Sequence, residues 1–139
     1  MITRDQFVAA VESLIGTPVK HMGRAPRIGL DCVGVPLAAV RLCGVDAPEP
    51  PPYSRRPSED ELSAGLSRYC DKIPIDEVMR GDILQTCVGS VARHVHVVTG
   101  TNECGQIMTV HAWLRSRIVQ RSMPLGRVVA VWRCREVRG

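Results

Sequence analysis

Lysine is scarce in this 139-residue chain, which carries only Lys20 and Lys72. Arginine therefore supplies nearly all of the positive charge behind the net charge of +4, and the arginines are scattered along the chain. Proteins that bind nucleic acids typically concentrate their basic residues in a patch. We therefore predict a solvated surface and no nucleic-acid partner, and an anionic polymer such as cell wall is a compatible partner.

Long apolar runs are also missing, and the longest ones fall far short of a membrane span. Residues 1–20 lack the basic start and long apolar stretch of a secretory signal. We expect synthesis in the cytosol without a signal peptide, and any later export would need another carrier. The length favours a single domain over residues 1–139.

No two of the six cysteines stand at the short spacing that is typical of zinc knuckles. If one of them is a reactive thiolate, five remain, which is an odd number for a disulfide framework. Most of the others are therefore predicted to be small buried hydrophobic residues, and no cofactor is expected.

Helical periodicity occupies the first half of the chain and strand periodicity the second. Thr3 and Gln6 have capping-box spacing and begin a first helix, which ends at residues 16–18. A second helix is predicted over residues 31–43, and a third begins at Ser58. The period then changes to two, which predicts strands over 82–88, 91–99, 106–113, 117–122 and 127–137. This order predicts an α+β fold, with N-terminal helices packed on a C-terminal antiparallel sheet.

Two segments between these elements are expected to lack regular structure. Residues 20–30 contain glycine, proline and basic residues without a period, and are predicted to form a loop. Residues 45–57 are rich in proline and are predicted to form an extended surface connection.

The segment Gly29-Leu30-Asp31-Cys32-Val33-Gly34 carries the main chemical signal. It places Cys32 at the start of an apolar helix, where unpaired amides and the helix dipole favour a thiolate. A thiolate is a nucleophile, and three histidines follow it in the chain. The sequence therefore carries the parts of a cysteine hydrolase in the order Cys, then His.

A hairpin centred on Asn102 and Glu103 would bring two of the histidines together. With a symmetric register, His94 faces His111 and His96 faces Thr109 across the strand pair. If Cys32 lies at the tip of a helix packed on that face, the three residues form a nucleophile, a base and an orienting group. His94 would take the thiol proton and His111 would hold the tautomer of His94. The backbone amide of Cys32 is the natural oxyanion donor.

These residues resemble the motifs of the NlpC/P60 family of papain-like cysteine peptidases, in particular its phage tail-associated branch. The resemblance covers nearly the whole chain and is carried by an ordered set of segments: Gly16-Thr17-Pro18, His21-Met22-Gly23-Arg24, Gly29 to Gly34, Arg80-Gly81-Asp82-Ile83-Leu84, His94 to Gly100 and Val110-His111-Ala112. It implies a papain-like NlpC/P60 fold.

The resemblance also implies the roles of individual residues. Cys32 matches the nucleophile, His94 the base and His111 the orienting residue, while Asp82 matches a structural position. His21, Arg24, Asp31 and His96 are the implied substrate contacts, and His96 could also replace His94 as the base. Val19 and Val33 stand where many members have tyrosine and serine.

The resemblance further implies the substrate and the place of action. Family members cleave peptide bonds in peptidoglycan stem peptides through a thioester intermediate, commonly between D-γ-glutamate and diaminopimelate. Members of the tail-associated branch are thought to act on the cell wall from the virion tail, or in tail assembly. Other phage tail proteins are then possible partners.

Two other functions fit parts of the same pattern. His94, His96 and His111 could bind zinc as three imidazoles and leave a fourth position for water. This alternative gives the Asp-Cys helix start no purpose. A structural protein of a tail tip could also retain the scaffold with little activity, but it would have no reason to keep Cys32, His94 and His111 together.

Overall fold

A computed structural model describes residues 1–139 of the chain. The helices are α1 (Arg4–Glu12), α2 (Gly34–Leu42) and α3 (Glu59–Ser67), and a 3₁₀ turn covers Ile75–Glu77. The strands are β1 (Ile2–Thr3), β2 (Arg24–Ala25), β3 (Gly29–Leu30), β4 (Cys70–Ile73), β5 (Ile83–Val88), β6 (Val91–Thr101), β7 (Ile107–Trp113), β8 (Ile118–Ser122), β9 (Val128–Cys134) and β10 (Val137–Arg138). None of the helices has the length and apolar character needed to cross a membrane.

Six of the strands form one antiparallel sheet in the order β4-β9-β5-β6-β7-β8. The predicted α+β class is therefore confirmed. Two small strand pairs lie outside this sheet: β1 pairs in parallel with β10, and β2 pairs with β3 inside the segment that the sequence predicts to be a loop.

The main core lies between the helices and one face of this sheet. Thr3 and Gln6 form the predicted capping box, with side chain and backbone bonded in both directions at 3.1 and 3.0 Å. The helix that follows buries Phe7 and Val11 completely. They belong to the same apolar cluster as Val95 of β6. Burial of each such side chain contributes about 1.5–3 kcal/mol, so this contact holds the helices on the sheet.

The edge strand β4 is absent from the sequence prediction. It follows α3 almost directly, and it pairs with β9 along its whole length. Only Cys70 is buried, while Asp71 and Lys72 are exposed. A short edge strand with exposed charges shows little alternation, and such charges protect a sheet edge from pairing with other chains.

The predicted register of the central hairpin is wrong by two residues. Strands β6 and β7 pair Val97 with Val110 and Val98 with Thr109, and an irregularity follows at Gly100. A shift of two residues keeps each side chain on its predicted face, because side chains alternate with a period of two. His94 and His111 therefore still share a face.

The second helix begins three residues later than predicted. Residues 31–33 form a turn, and α2 starts at Gly34. Pro36 fits in its first turn, where the amide that proline lacks is not needed for the helix ladder. The helix ends as predicted before Gly44, which has a φ of 89°.

A buried carboxylate and several buried thiols lie next to the sheet. Asp82 has no exposed surface and forms ion pairs with Arg4 and Arg133, which is consistent with a structural role. All six cysteines are free thiols. Three of them, Cys70, Cys87 and Cys134, are buried as expected, whereas Cys43 is partly exposed and Cys104 is exposed.

Candidate active site

Cys32 lies in the turn that leads into α2, and Asp31 caps this turn. The Asp31 carboxylate accepts a hydrogen bond from the amide of Gly34 at 2.7 Å, and the Asp31 carbonyl accepts one from Val35. These are the bonds of an N-cap residue. The amides of Cys32 and Val33 donate no hydrogen bond to a backbone or side-chain oxygen. They lie against the sulfur of Cys32, as does the amide of Val95. Two donors without an oxygen partner therefore stand at the positive end of α2.

The three strand histidines form a buried cluster. His94 is 6% exposed, and His96 and His111 are fully buried. The His94 Nε2 and His111 Nδ1 atoms are 2.7 Å apart. The rings of His96 and His111 stack with centroids 4.0 Å apart, as the observed register requires. The prediction that His94 and His111 are neighbours is correct, although His96 is the residue directly opposite His111.

The imidazoles lie on the sheet face that does not carry α1 and α2. His96 pairs across the strands with Leu84, which belongs to a small cluster with Val98, whereas Val95 and Val97 point into the main core. The expectation that the helix of Cys32 packs on the histidine face is therefore wrong. Cys32 instead reaches the start of β6 from the helix side, and no hydrogen bond joins its thiol to His94 in the free protein.

The hydrogen bonds around His111 determine the tautomers of the pair. The Ser122 hydroxyl donates to the carbonyl of Met123 at 2.7 Å, so it accepts from the Nε2–H of His111 at 3.0 Å. His111 Nδ1 is then an acceptor, and His94 Nε2–H donates to it. The Gln120 amide makes a longer contact of 3.3 Å with the same Nε2 atom. This chain leaves the Nδ1 lone pair of His94 available as a base.

His96 has a different environment from His94. Its Nδ1 lies 2.8 Å from the Thr109 hydroxyl, and its Nε2 accepts a bond from the Leu125 amide at 3.4 Å. Both nitrogens of His96 are therefore engaged. Among the six nitrogens of the three rings, only His94 Nδ1 lacks a partner within the protein.

A metal would have to compete with these bonds. The candidate ligand atoms of the three histidines lie within 4.8 Å of one another, which is close enough to surround one ion. Zinc takes a lone pair from each imidazole. In this arrangement His111 and His96 use both ring nitrogens in hydrogen bonds to protein groups, so the rings would have to reorient. The cluster is better suited to relaying a hydrogen bond than to coordinating zinc.

Burial holds Cys32 and His94 in their neutral forms. It raises the pKa of Cys32 to about 12, and the negative charge of Asp31 raises it further, while the Val95 and Val33 amides act in the opposite direction. This direction is opposite to the lowered thiol pKa that the helix start predicts. Burial lowers the pKa of His94 to about 3, with a contribution from the neighbouring His111. Desolvation of both groups outweighs the helix dipole.

Cys32 and His94 line one cavity of about 1690 Å³. Its other walls come from α3, the start of β6 and the proline-rich connection. Trp113 also lines it, and the indole centroid is 5.3 Å from the His94 ring. His96 and His111 do not line this cavity. A ligand in the cavity therefore meets the thiol and His94, and it does not meet the other two imidazoles.

Of the residues that the resemblance implies as substrate contacts, some line the cavity and others form ion pairs beside it. His21 lines the cavity, and its ring packs edge-on against Tyr53. Arg24 does not line the cavity: it forms ion pairs with Asp31 and Glu49 and also donates to the Tyr53 hydroxyl. The Tyr53 hydroxyl in turn donates to Asp31. Asp31 and Arg24 thus attach the proline-rich connection beside Cys32.

Three residues of the site are absent from the sequence prediction. Tyr53 reaches Asp31 from an aperiodic segment 22 residues away. Ser122 contacts His111 from the next strand, and Arg93 shares the cavity with Cys32. No local pattern indicates Tyr53. The position of Arg93 directly before the proposed base was the available signal for that residue.

The fold is similar to that of solved peptidoglycan hydrolases and P60 domains. The hydrolase RipB from Mycobacterium tuberculosis aligns with a TM-score of 0.66 and 17% identity, over 94% of this chain and 63% of RipB. The P60 domain of antigen MAP1204 from M. avium subspecies paratuberculosis gives 0.63 and 20%, over 94% and 93%. The NlpC/p60 domain of the peptidoglycan hydrolase SagA gives 0.58 and 23%, over 86% and 88%.

No family model matches the chain, and no curated protein matches it. The chain spans less than two thirds of the length of RipB, but nearly all of the two isolated P60 domains. At these identities the likeness shows the fold, and the chain accordingly adopts the NlpC/P60 domain fold.

Proposed function

We propose that the protein is a cysteine endopeptidase that hydrolyses peptide bonds in bacterial peptidoglycan stem peptides. RipB and SagA are described as peptidoglycan hydrolases, and this chain carries Cys32, His94 and His111 on the same fold. The observation that carries the proposal is the free Nδ1 of His94, which is the only available ring nitrogen of the cluster and belongs to a residue that lines the same cavity as the thiol.

Because Cys32 and His94 are both neutral in the free protein, His94 acts as a general base that activates the thiol during the reaction, and no thiolate–imidazolium ion pair is formed beforehand. The thiol proton passes to Nδ1 of His94 as the sulfur attacks the peptide carbonyl, so charge develops only during the reaction. The hydrogen bond between a nucleophile and its general base is commonly long in a free enzyme and tightens in the substrate complex. The amides of Cys32 and Val33, which have no oxygen acceptor in the free protein, are the donors that stabilise the oxyanion in this mechanism.

The remaining steps return the site to its starting state. The protonated His94 gives its proton to the leaving amine, which breaks the C–N bond and leaves a thioester on Cys32. His94 then takes a proton from water as the water oxygen attacks the thioester. Collapse of the second tetrahedral intermediate releases the acid and restores the thiol. His111 and Ser122 keep His94 in the required tautomer throughout.

The direct test is digestion of purified peptidoglycan, with the released fragments identified by mass. We expect new amino termini within the stem peptides from the intact protein, and none from Cys32→Ala or His94→Ala. His96→Asn should retain activity, because His96 does not line the cavity. A chelator should leave the reaction unchanged. Loss of activity on chelation, with activity retained in Cys32→Ala, would instead support the three-histidine zinc hydrolase.

The association with a phage tail rests on the sequence resemblance alone. We propose that the protein acts on the cell wall from the virion tail, together with other tail proteins. Detection of the chain in purified virions by mass spectrometry would support this assignment. If the chain is present in virions and gives no peptidoglycan product, the structural tail-tip alternative is correct.

A further inference from the structure

Arg93 is a charged residue of the cavity wall without a counter-ion. It forms no hydrogen bond and no ion pair with the protein, and its Nε atom is buried without a partner. The side chain is only partly exposed. The other guanidinium nitrogens of Arg93 are not among the buried atoms, so they remain available to a ligand in the cavity. A bound anion would give the guanidinium a charged partner that the free protein does not supply.

Arg93 stands on the same side of the sheet as Cys32. Strand alternation puts it on the face of Val95, where the α3 residue Ser63 hydrogen-bonds Gln85, the partner of Val95. The cavity extends over this region, and six arginines but only four acidic residues line it. Asp31 is already paired with Arg24 and Arg135 with Asp71, which leaves five arginines and three acidic residues. The cavity thus favours an anionic ligand.

We propose that Arg93 binds a carboxylate of the peptide substrate beside the scissile bond. A planar guanidinium recognises a carboxylate through two parallel hydrogen bonds. The proposal rests on the proposed peptidase function and adds a requirement for a free acid group in the substrate. Stem peptides present such groups on D-γ-glutamate, and the same position can carry an amide instead.

The test compares two synthetic stem peptides that differ only in a carboxylate or an amide at D-γ-glutamate. We expect intact protein to cleave the carboxylate peptide with about tenfold higher kcat/KM, through KM, because a hydrogen bond to a charged group is lost in the amide. Arg93→Gln should erase this preference and Arg93→Lys should retain part of it. Arg138→Gln, which removes an arginine outside the cavity, should behave as the intact protein.

Binding of the same peptides to Cys32→Ala protein, measured by calorimetry, tests carboxylate binding by Arg93 independently of turnover. Weaker binding of the carboxylate peptide after adding Arg93→Gln supports the site even if no cleavage occurs. Equal binding of both peptides to both proteins overturns it. Cleavage of the two peptides at equal rates overturns the Arg93 site and leaves the peptidase function standing.

Cys70 on β4 and Cys134 on β9 lie directly opposite each other in the sheet. The neighbouring pair, Tyr69 and Arg135, is joined by a backbone hydrogen bond. Hydrogen-bonded and non-hydrogen-bonded pairs alternate along antiparallel strands, so Cys70 and Cys134 form a non-hydrogen-bonded pair with Cα atoms about 4.5 Å apart. Disulfides span Cα separations of about 4.4–6.8 Å.

We infer that Cys70 and Cys134 form a cross-strand disulfide when the protein meets a small-molecule disulfide such as oxidised glutathione. One thiolate attacks a glutathione sulfur and releases one glutathione; the second thiolate then displaces the other. The two protons lost by Cys70 and Cys134 are taken up, through solvent, by the two departing glutathione thiolates, so the glutathione disulfide is reduced to two thiols. Access is available because both cysteines line the cavity and β4 is an edge strand.

The full-length protein is incubated with oxidised glutathione and mapped by mass spectrometry without reduction. We expect a crosslinked peptide pair containing Cys70 and Cys134, two fewer titratable thiols, and a higher Tm that a reductant reverses. Cys134→Ala should lose the crosslink and the Tm increase, and Cys87→Ala, which removes another buried thiol, should keep both. An unchanged thiol count, or a crosslink between other cysteines, overturns the inference.

Discussion

In the free protein the thiol of Cys32, the proposed nucleophile, is a weak acid, and the imidazole of His94, the proposed base, is a weak base. Burial is the main cause in both cases. Burial raises the pKa of Cys32 and lowers that of His94, because each charged form loses its hydration. The Asp31 carboxylate, which caps the turn, adds to the effect on the thiol. The same residue therefore fixes the position of Cys32 and opposes its ionisation.

This environment predicts slow alkylation of Cys32 at neutral pH. The rate of reaction with iodoacetamide should increase about tenfold per pH unit up to about pH 10, because only the thiolate reacts. Peptide mapping after timed quenching follows each cysteine separately, and the exposed Cys104 serves as the internal comparison. A rate at Cys32 that levels off below pH 7 would show a preformed thiolate–imidazolium pair instead.

Ser122 should matter for turnover although it does not touch the substrate. Ser122→Ala removes the acceptor of the His111 Nε2–H, which frees His111 to take the other tautomer and compete for the proton on His94. We expect kcat to fall about tenfold with KM nearly unchanged, the lower end of the loss that follows removal of an orienting partner from a metal-bound histidine. Ser122→Thr, which keeps the hydroxyl, should recover most of the activity. A change in KM alone would contradict this role.

At the scale of the elements, the start of α2 depends on a close approach of two backbones. A Cβ added at Gly34 would lie 2.3 Å from the carbonyl oxygen of Gly23, a contact that real Cβ atoms do not make. This approach brings the segment before β2 against the turn of Cys32. Gly34 is therefore required by packing.

Two glycine substitutions in helices should have opposite effects on stability. Gly34→Ala forces the backbone apart and should lower the free energy of unfolding by 2 kcal/mol or more, about the cost of overpacking. Gly65→Ala in α3 meets no atom within 4 Å and should raise it by about 0.5–1 kcal/mol. Urea unfolding measures both. Equal effects of the two substitutions would show that the approach at Gly34 is not tight.

At the scale of the whole molecule, three buried neutral histidines make the fold sensitive to acid. Burial lowers the pKa of His94 to about 3, of His96 to about 2 and of His111 to about 4. In the unfolded chain each returns to about 6.5. Between these values the unfolded state binds more protons, so stability is complete above pH 6.5 and falls as the pH decreases.

Acid sensitivity should therefore appear well above the range in which carboxylates titrate. From pH 6 to pH 5 we expect the free energy of unfolding to decrease by about 1.4 kcal/mol per pH unit for each histidine, the limiting slope for one proton. His96→Asn should show a shallower slope by one proton, whatever its stability at pH 7. Urea titrations at several pH values measure the slope, and an unchanged slope in the variant would contradict the buried-neutral assignment.

Much of the secondary structure could be predicted from the sequence, because helix caps and strand alternation depend on residues close together in the chain. The capping residues Thr3 and Ser58 begin α1 and α3 as predicted, since a cap depends on neighbours three residues away. The five long strands follow from alternation alone. The edge strand β4 and the hairpin register could not be read in this way, because one has little alternation and the other depends on the irregularity at Gly100.

The sequence by itself determined which residues are available for chemistry and which face each strand residue occupies, because both depend on residue type and a period of two. It placed His94 and His111 together despite the wrong register. Only the tertiary structure decided the ionisation of the thiol, the free nitrogen of His94 and the attachment of Tyr53 to Asp31. Each of these depends on burial and on partners distant in the chain, and desolvation there outweighs the local field of the helix.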